Sequence, residues 1–221
     1  MGAAAPVIAI DGPSASGKGT VARLVARALG FHYLNSGSLY RLVALSALRS
    51  GVSWEDEPRL AELAASLDAG FCDERIIWHN KDVTGDISSE SVAAGASQVA
   101  ALPAVRSALL KRQRGFRQPP GLVAEGRDMG SVVFPRAELK IFLTASAAER
   151  AERRYKQLKE KGIAATLRIL LQDLRERDAR DAARSVAPLK QGPDARLLDT
   201  TAMSAKDAAE RILAWYRGAD R

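Results

Sequence analysis

Cys72 is the only cysteine in the 221-residue chain, so no intramolecular disulfide can form and metal clusters built from several thiolates are excluded. No stretch approaches the run of about 20 apolar residues that a membrane span requires. Aromatic residues make up 5% of the sequence, too few for the base-stacking surfaces on which single-stranded nucleic acids lie. An aromatic RNA-recognition motif is also lacking. There are no internal repeats and no low-complexity segments. What is plentiful is positive charge: 33 Lys and Arg against 26 Asp and Glu, a formal net charge of +7. That balance suits a nucleic-acid binder or an enzyme with polyanionic substrates, and the scarcity of aromatics favours the second. The opening residues lack a basic flank and run straight into a glycine-rich loop, so they read as a strand and not as a secretory signal. A reducing, cytoplasmic setting is expected.

Val7 to Ile10 is a short apolar run with β-branched members, as in a strand buried on both faces. After the loop that follows, Val21, Leu24, Val25, Ala28 and Leu29 recur at helical spacing, and Gly30 ends the helix. The apolar runs Leu122 to Ala124, Leu139 to Leu143 and Leu197–Leu198 repeat the strand pattern with helical segments between them. An α/β fold with a central parallel sheet flanked by helices is predicted. Residues 69–87 break this rhythm with short β-prone pieces and read as a hairpin or small sheet inserted in the body. Ser146 with Glu149, and Ser204 with Asp207, have the spacing of capping boxes. Ala208, Ile212, Trp215 and Tyr216 form the core stripe of the last helix. Lys159 to Gly162 is a charged, glycine-ended break that predicts a hinge or lid tip.

The segment Gly12, Pro13, Ser14, Ala15, Ser16, Gly17, Lys18, Gly19, Thr20 meets the first part of the phosphate-loop pattern, Gly followed after four residues by Gly-Lys. Between a strand and a helix, its backbone N–H groups and the helix dipole converge on one point, where phosphate binds. Lys18 adds a charge for the β- and γ-phosphates. The usual Ser or Thr after the lysine is replaced by Gly19, with Thr20 one later, so the magnesium ligand stays unassigned. The ending GKGT resembles that of nucleoside monophosphate kinases, and the departure argues against a GTPase switch.

On the acceptor side, Ser36 suits a helix N-cap and Arg41 lies about one turn beyond it, with a guanidinium suited to a phosphate. A helix is predicted from Pro103 to Arg117. The next strand ends in EGRDMG, placing Arg127 and Asp128 at its carboxyl end, where open α/β sheets gather their ligands. Arg177, Asp181 and Arg184 have the spacing of one helical face. Asp173, Arg177 and Asp181 also have the spacing of plain i, i+4 ion pairs, so the pattern alone does not decide between the two readings.

Taken in order, IAIDGPSASGKGT, LNSGSLYR, ASQVA, VRSALLKRQRGFR, EGRDMGSVVFP, KIFLTAS and RERDARD followed by SVAPL resemble bacterial cytidylate kinases over essentially the whole chain. The resemblance implies a P-loop kinase fold with a nucleotide-binding insert at about 61–100 and a short lid at about 153–165. It implies transfer of the γ-phosphate of ATP, with Mg2+, to CMP or dCMP. The cytosine contacts it implies are Ser97, Arg106 and Asp128. Ser36, Arg41, Arg127 and Arg184 would hold the acceptor phosphate and Asp181 the ribose. Lys18, Arg177 and the lid residues Arg153 and Arg154 would surround the transferred group. A monomer acting on small nucleotides, with no nucleic-acid or membrane partner, is expected. Kinases for UMP, AMP or shikimate are the neighbouring alternatives.

Overall fold

A computed structural model describes residues 4–72, 75–160, 162–184 and 186–218. The chain falls into two compact units, one formed by residues 1–35 and 114–221 and the other by Ser36–Gln113. The expected insert at 61–100 lies inside the second unit.

In the first unit, β1 (Val7–Asp11), β2 (His32–Asn35), β6 (Leu122–Gly126), β7 (Leu139–Thr144) and β8 (Arg196–Asp199) form one sheet in the order β2-β6-β1-β7-β8. Every pairing is parallel. β1 and β6 are buried along their whole length, which is why both read as unbroken apolar runs. α1 (Lys18–Leu29) turns Val21, Ala22, Val25 and Ala26 inward and ends at Gly30, whose φ of 66° is left-handed and whose N–H reaches Ala26 O and Arg27 O. Ile8, Ile10, Val123, Ile141 and Leu143 from the sheet join Val21, Val25 and, from α8 (Ala205–Tyr216), Ala208 and Ile212 in one core. Trp215 and Tyr216 pack against that core, as the stripe predicts. Ser146 Oγ accepts from Glu149 N at 3.2 Å before α6 (Ala147–Glu160), and Ser204 Oγ accepts from Asp207 N at 3.1 Å before α8. Both serines cap their helices, but the reciprocal half of a capping box is replaced: Ser146 N–H donates to Thr201 Oγ1, and Asp207 Oδ2 accepts from Ser204 Oγ. α6 packs against α7 (Leu167–Ala183).

The second unit holds α2 (Ser36–Ser50), α3 (Glu57–Ala65), α4 (Glu90–Val99) and most of α5 (Pro103–Gly115), with an antiparallel sheet in the order β3 (Ala69–Cys72), β4 (Arg75–Trp78), β5 (Lys81–Asp82). The break in rhythm after residue 69 is this small sheet. α2 lies against α4, and Trp54 is seated on Gly95, where an added Cβ would lie 2.5 Å from the indole. The N-terminus of α5 is capped from α3, where Glu57 Oε1 accepts from Ala104 N at 2.7 Å.

Three expectations need correction. Ser36 is the first residue of α2, not its cap. α5 stops at Gly115 instead of Arg117. Arg184 lies just past α7 with an extended ψ of 135°, so it does not continue the helical face of Arg177 and Asp181. β2 was not anticipated. Of the expected lid, residues 153–160 are the second half of α6 and Gly162 is a turn with φ of 70°, while Lys161 lies outside the described residues.

Candidate active site

The first unit carries the phosphate loop between β1 and α1. Gly12 packs against the carbonyl of Leu143 so closely that a Cβ would strike it. Ala15 and Gly17 have left-handed φ values of 58° and 88°, and turns of this kind point successive N–H groups into one concavity. Lys18 is buried, and its Nζ donates to Pro13 O at 3.1 Å.

Two guanidiniums from α6 hold the loop from outside. Arg150 donates to Ser14 O at 3.2 Å and grips Asp178 of α7 through Nη1 at 3.1 Å and Nη2 at 2.6 Å. Arg153 donates to Ser16 O at 3.0 Å and, through Nη2, to Thr200 O at 2.5 Å. Arg154, on the same helix, is half-buried. A cavity of about 380 Å³ opens beside the loop, lined by Gly17, Thr20, Arg153, Lys156, Met203 and Ala205 among others.

Beyond Lys18, Glu125 Oε2 at the end of β6 stands 3.7 Å from Nζ. Its other oxygen accepts from Tyr33 OH of β2 at 3.2 Å. Burial and the Glu125 charge push the Tyr33 phenol upward, so it stays a hydrogen-bond donor. A Cβ on Gly19 would lie 3.2 Å from Glu125 Oε1 and 3.5 Å from Tyr33 OH. The glycine that breaks the usual phosphate-loop pattern thus faces a carboxylate and a phenol that have taken the space of a side chain.

Arg127, one residue beyond β6, donates through Nε to Asp181 Oδ2 at 2.7 Å. Arg184 pairs with the other oxygen of Asp181 despite lying outside the helix. Asp181 is buried to 2% exposure. Burial raises its pKa, but the charges of Arg127, Arg184 and Arg177 outweigh this and hold the carboxyl below its ordinary value. Lys18 belongs to the same neighbourhood. Burial lowers its pKa to about 7, with the charges of Arg127 and Arg177 acting the same way and those of Glu125 and Asp181 opposing. A lysine and arginines crowded together make a site that gains from a polyanion. Asp128 is also buried.

In the second unit, Arg41 donates to Ile87 O at 2.6 Å and Arg106 to Ala100 O at 3.1 Å. The Arg106 guanidinium stands 5.9 Å from the centre of the Tyr40 ring. Ser36 and Ser97 are buried, and Ser97 Oγ has no hydrogen-bond partner among the described residues.

Sequence reading passed over Glu125, Tyr33, Arg150 and Asp11. Asp11 closes β1 and accepts two backbone hydrogen bonds at 2.8 Å from Met129 and Gly130. The signal open to it was an acidic residue at the buried end of a strand, directly before the glycine loop.

A parallel sheet with a phosphate loop after its first strand, and a cluster of arginines around the loop lysine, defines a P-loop kinase. Two solved structures share the fold: an uncharacterized protein from Eubacterium ventriosum, with a TM-score of 0.56 and 11% identity over 96% of this chain and 98% of that one, and a gluconokinase from Sinorhizobium meliloti, with a TM-score of 0.50 and 16% identity over 96% and 91%. The family model described as cytidylate kinase matches residues 8–218. The cytidylate kinase of Chromobacterium violaceum is 61% identical over 211 residues, covering 96% of this chain and 95% of that protein. That of Burkholderia ambifaria is 56% identical over 212 residues, covering 96% and 93%. The chain belongs to the cytidylate kinase family.

Proposed function

We propose that this enzyme transfers the γ-phosphate of ATP to CMP or dCMP and that the residues described above divide the work as follows. Gly12 to Thr20 wrap the donor phosphates, with Lys18 on the β- and γ-phosphates. The cavity beside Gly17, Thr20 and Met203 takes the rest of the donor nucleotide. Arg127, Arg184, Ser36 and Arg41 hold the acceptor phosphate, Asp181 its ribose, and Ser97, Arg106 and Asp128 its cytosine. Arg177 neutralises charge on the group in flight, joined by Arg153 or Arg154. The observation that carries this reading is geometric: at the end of β6, Glu125 meets the donor lysine Lys18 at 3.7 Å while Arg127, two residues on, meets Asp181 at 2.7 Å, so the donor lysine and the acceptor arginine share one field.

Magnesium fits the loop. Ser16 Oγ is buried without a hydrogen-bond partner among the described residues and Thr20 is exposed. Such hydroxyls, with phosphate oxygens and water, are the hard donors Mg2+ takes. Ser16 and Thr20 would hold it, and when bound it would neutralise charge on the donor phosphates.

Phosphoryl transfer passes through a loose, highly charged transition state, so catalysis is mainly placement and charge stabilisation. The acceptor phosphate is already anionic near neutral pH, which removes the need for a general base. Asp128 accepting from the cytosine amino group, with Arg106 facing the carbonyl, would reject uracil, whose oxygen would oppose the carboxylate. An Asp128→Ala enzyme that retained full preference for CMP over UMP would remove that assignment. Among the described residues no helix is long and apolar enough to cross a membrane; with water-soluble nucleotide substrates this supports a cytoplasmic enzyme, which we take to be a monomer. ADP formation with CMP, dCMP, UMP, AMP and no acceptor, measured in parallel, tests the whole reading. Turnover with CMP and dCMP alone is expected, and turnover confined to another acceptor would refute it.

A further inference from the structure

Asp11 stands where the donor and acceptor loops of the first unit meet. It is the last residue of β1, and Gly12 opens the phosphate loop immediately after it. The β1–β6 ladder ends at the pair Asp11 and Gly126. Past that pair, Gly12 N–H donates to Gly126 O at 3.3 Å. The Asp11 carboxylate spans the rest: Oδ1 accepts from Met129 N and Oδ2 from Gly130 N, both at 2.8 Å. Met129 opens the single π-helical turn Met129–Val133, a rare geometry that often marks functional positions. Arg127 and Asp128 therefore sit on a short bridge, tied to the phosphate loop at Gly126 on one side and at Met129 and Gly130 on the other.

We propose that Asp11 is a positioning residue for phosphoryl transfer, fixing Arg127 and Asp128, and with them the acceptor, at a set distance from the phosphate loop. The proposal rests on the reading of the site as a CMP kinase. Its physical ground is that the two loops are more than a hundred residues apart in sequence, and past the end of the ladder the carboxylate adds two hydrogen bonds between them to the one from Gly12 N–H. A misplacement of about 1 Å between reacting groups costs roughly a hundredfold in rate. A buried carboxylate is also an expensive way to satisfy two amides. Burial pushes its pKa up to about 6, and the Asp128 charge adds to this against the two N–H bonds and Arg127. The other charges around it border a cavity of about 250 Å³ that Asp11 lines with Lys140, Lys190 and Asp194. Lys140 and Asp194 pair there at 2.6 Å.

Asp11→Asn keeps the shape but turns an NH2 toward one of the two amides. We expect kcat/KM for CMP to fall about thirtyfold, the loss of one charge-assisted hydrogen bond. KM for ATP should stay within about twofold of wild type, and the ratio of ATP hydrolysis to transfer should rise, because the donor still binds while the acceptor is misplaced. Transfer at the wild-type rate, or equal losses toward ATP and CMP, would overturn the proposal. Wild-type enzyme that fails to phosphorylate CMP would instead strike the functional reading itself. Should the variant not fold, the wild-type protein carries the test by NMR. The Met129 and Gly130 amide resonances should move together as one group titrates near pH 6, and two amides that ignore pH across the carboxylate range would overturn the assignment.

Discussion

Restoring a hydroxyl at the position after Lys18 should damage this enzyme instead of improving it. In Gly19→Ser the new Cβ would lie 3.2 Å from Glu125 Oε1, so the carboxylate must yield by a few tenths of an ångström, while Tyr33 OH at 3.5 Å is in ordinary van der Waals contact. Overpacking of this kind costs about 1–3 kcal/mol, offset by roughly 0.5 kcal/mol from replacing glycine within a helix. The net loss is about 0.5–2.5 kcal/mol. The group that yields is the carboxylate 3.7 Å from Lys18 Nζ, so the damage should reach the donor side. Since about 1.4 kcal/mol is a tenfold change in rate, kcat/KM for ATP should fall about tenfold at saturating CMP. Thermal melting and a coupled ADP assay read the two effects. Adding Tyr33→Phe, which releases Glu125 Oε1 from its hydrogen bond to the phenol and lets the carboxylate move aside, should recover part of the loss. A Gly19→Ser enzyme as stable and as active as wild type would refute the account of Glu125 and Tyr33 as the reason for this glycine.

Lys18, lowered by burial to about 7, should lose its proton as pH rises, so KM for ATP should climb above neutrality; a flat profile from mildly acid to mildly alkaline pH would contradict the shift. The same depression means that the unfolded chain holds this proton over a range where the folded one does not, so its contribution to stability rises from about pH 7 to the ordinary lysine value. Asp181→Asn leaves Arg127 and Arg184 without their shared buried carboxylate and should cost about 3 kcal/mol in a chemical-denaturation measurement. The wild-type pair has the same sign of pH dependence as Lys18 but in the acid range: Asp181 is held below its usual value, so its stabilisation is present above the ordinary aspartate range and is lost as pH falls through the folded value. Arg153→Ala removes the bonds to Ser16 O and Thr200 O and should raise KM for ATP about tenfold with KM for CMP unchanged, read in the same coupled assay.

The phosphate loop and the strand before it were legible because both signals are local: a run buried on both faces, then glycines at fixed offsets. β2 was not, since His32 is exposed, only Leu34 is fully buried, and the strand exists through its register with β6 some ninety residues away. Arg184 shows the limit of helical periodicity. Its charge finds Asp181 as the spacing promised, but from a backbone that has already left the helix. Arg150 carries no signal of its own on a basic helix; its partners Ser14 O and Asp178 lie far off in sequence, and no spacing rule reaches them. Asp11 and Glu125 were hidden for the same reason, each being a single acid at the end of an apolar run whose role depends on what the topology sets beside it.

The outer face of the phosphate loop has its own bearing on how strongly the inner face binds. Three of its carbonyls accept hydrogen bonds from cations: Pro13 O from Lys18, Ser14 O from Arg150 and Ser16 O from Arg153. A cation on the oxygen draws electron density across the peptide, so the N–H groups of Ser14, Ala15 and Gly17 become better donors, by about 10–30% each. Two of those cations reach the loop from α6. The affinity of the loop for phosphate is thus partly written in a helix more than a hundred residues away, and a change of charge there would be felt by an anion it never touches.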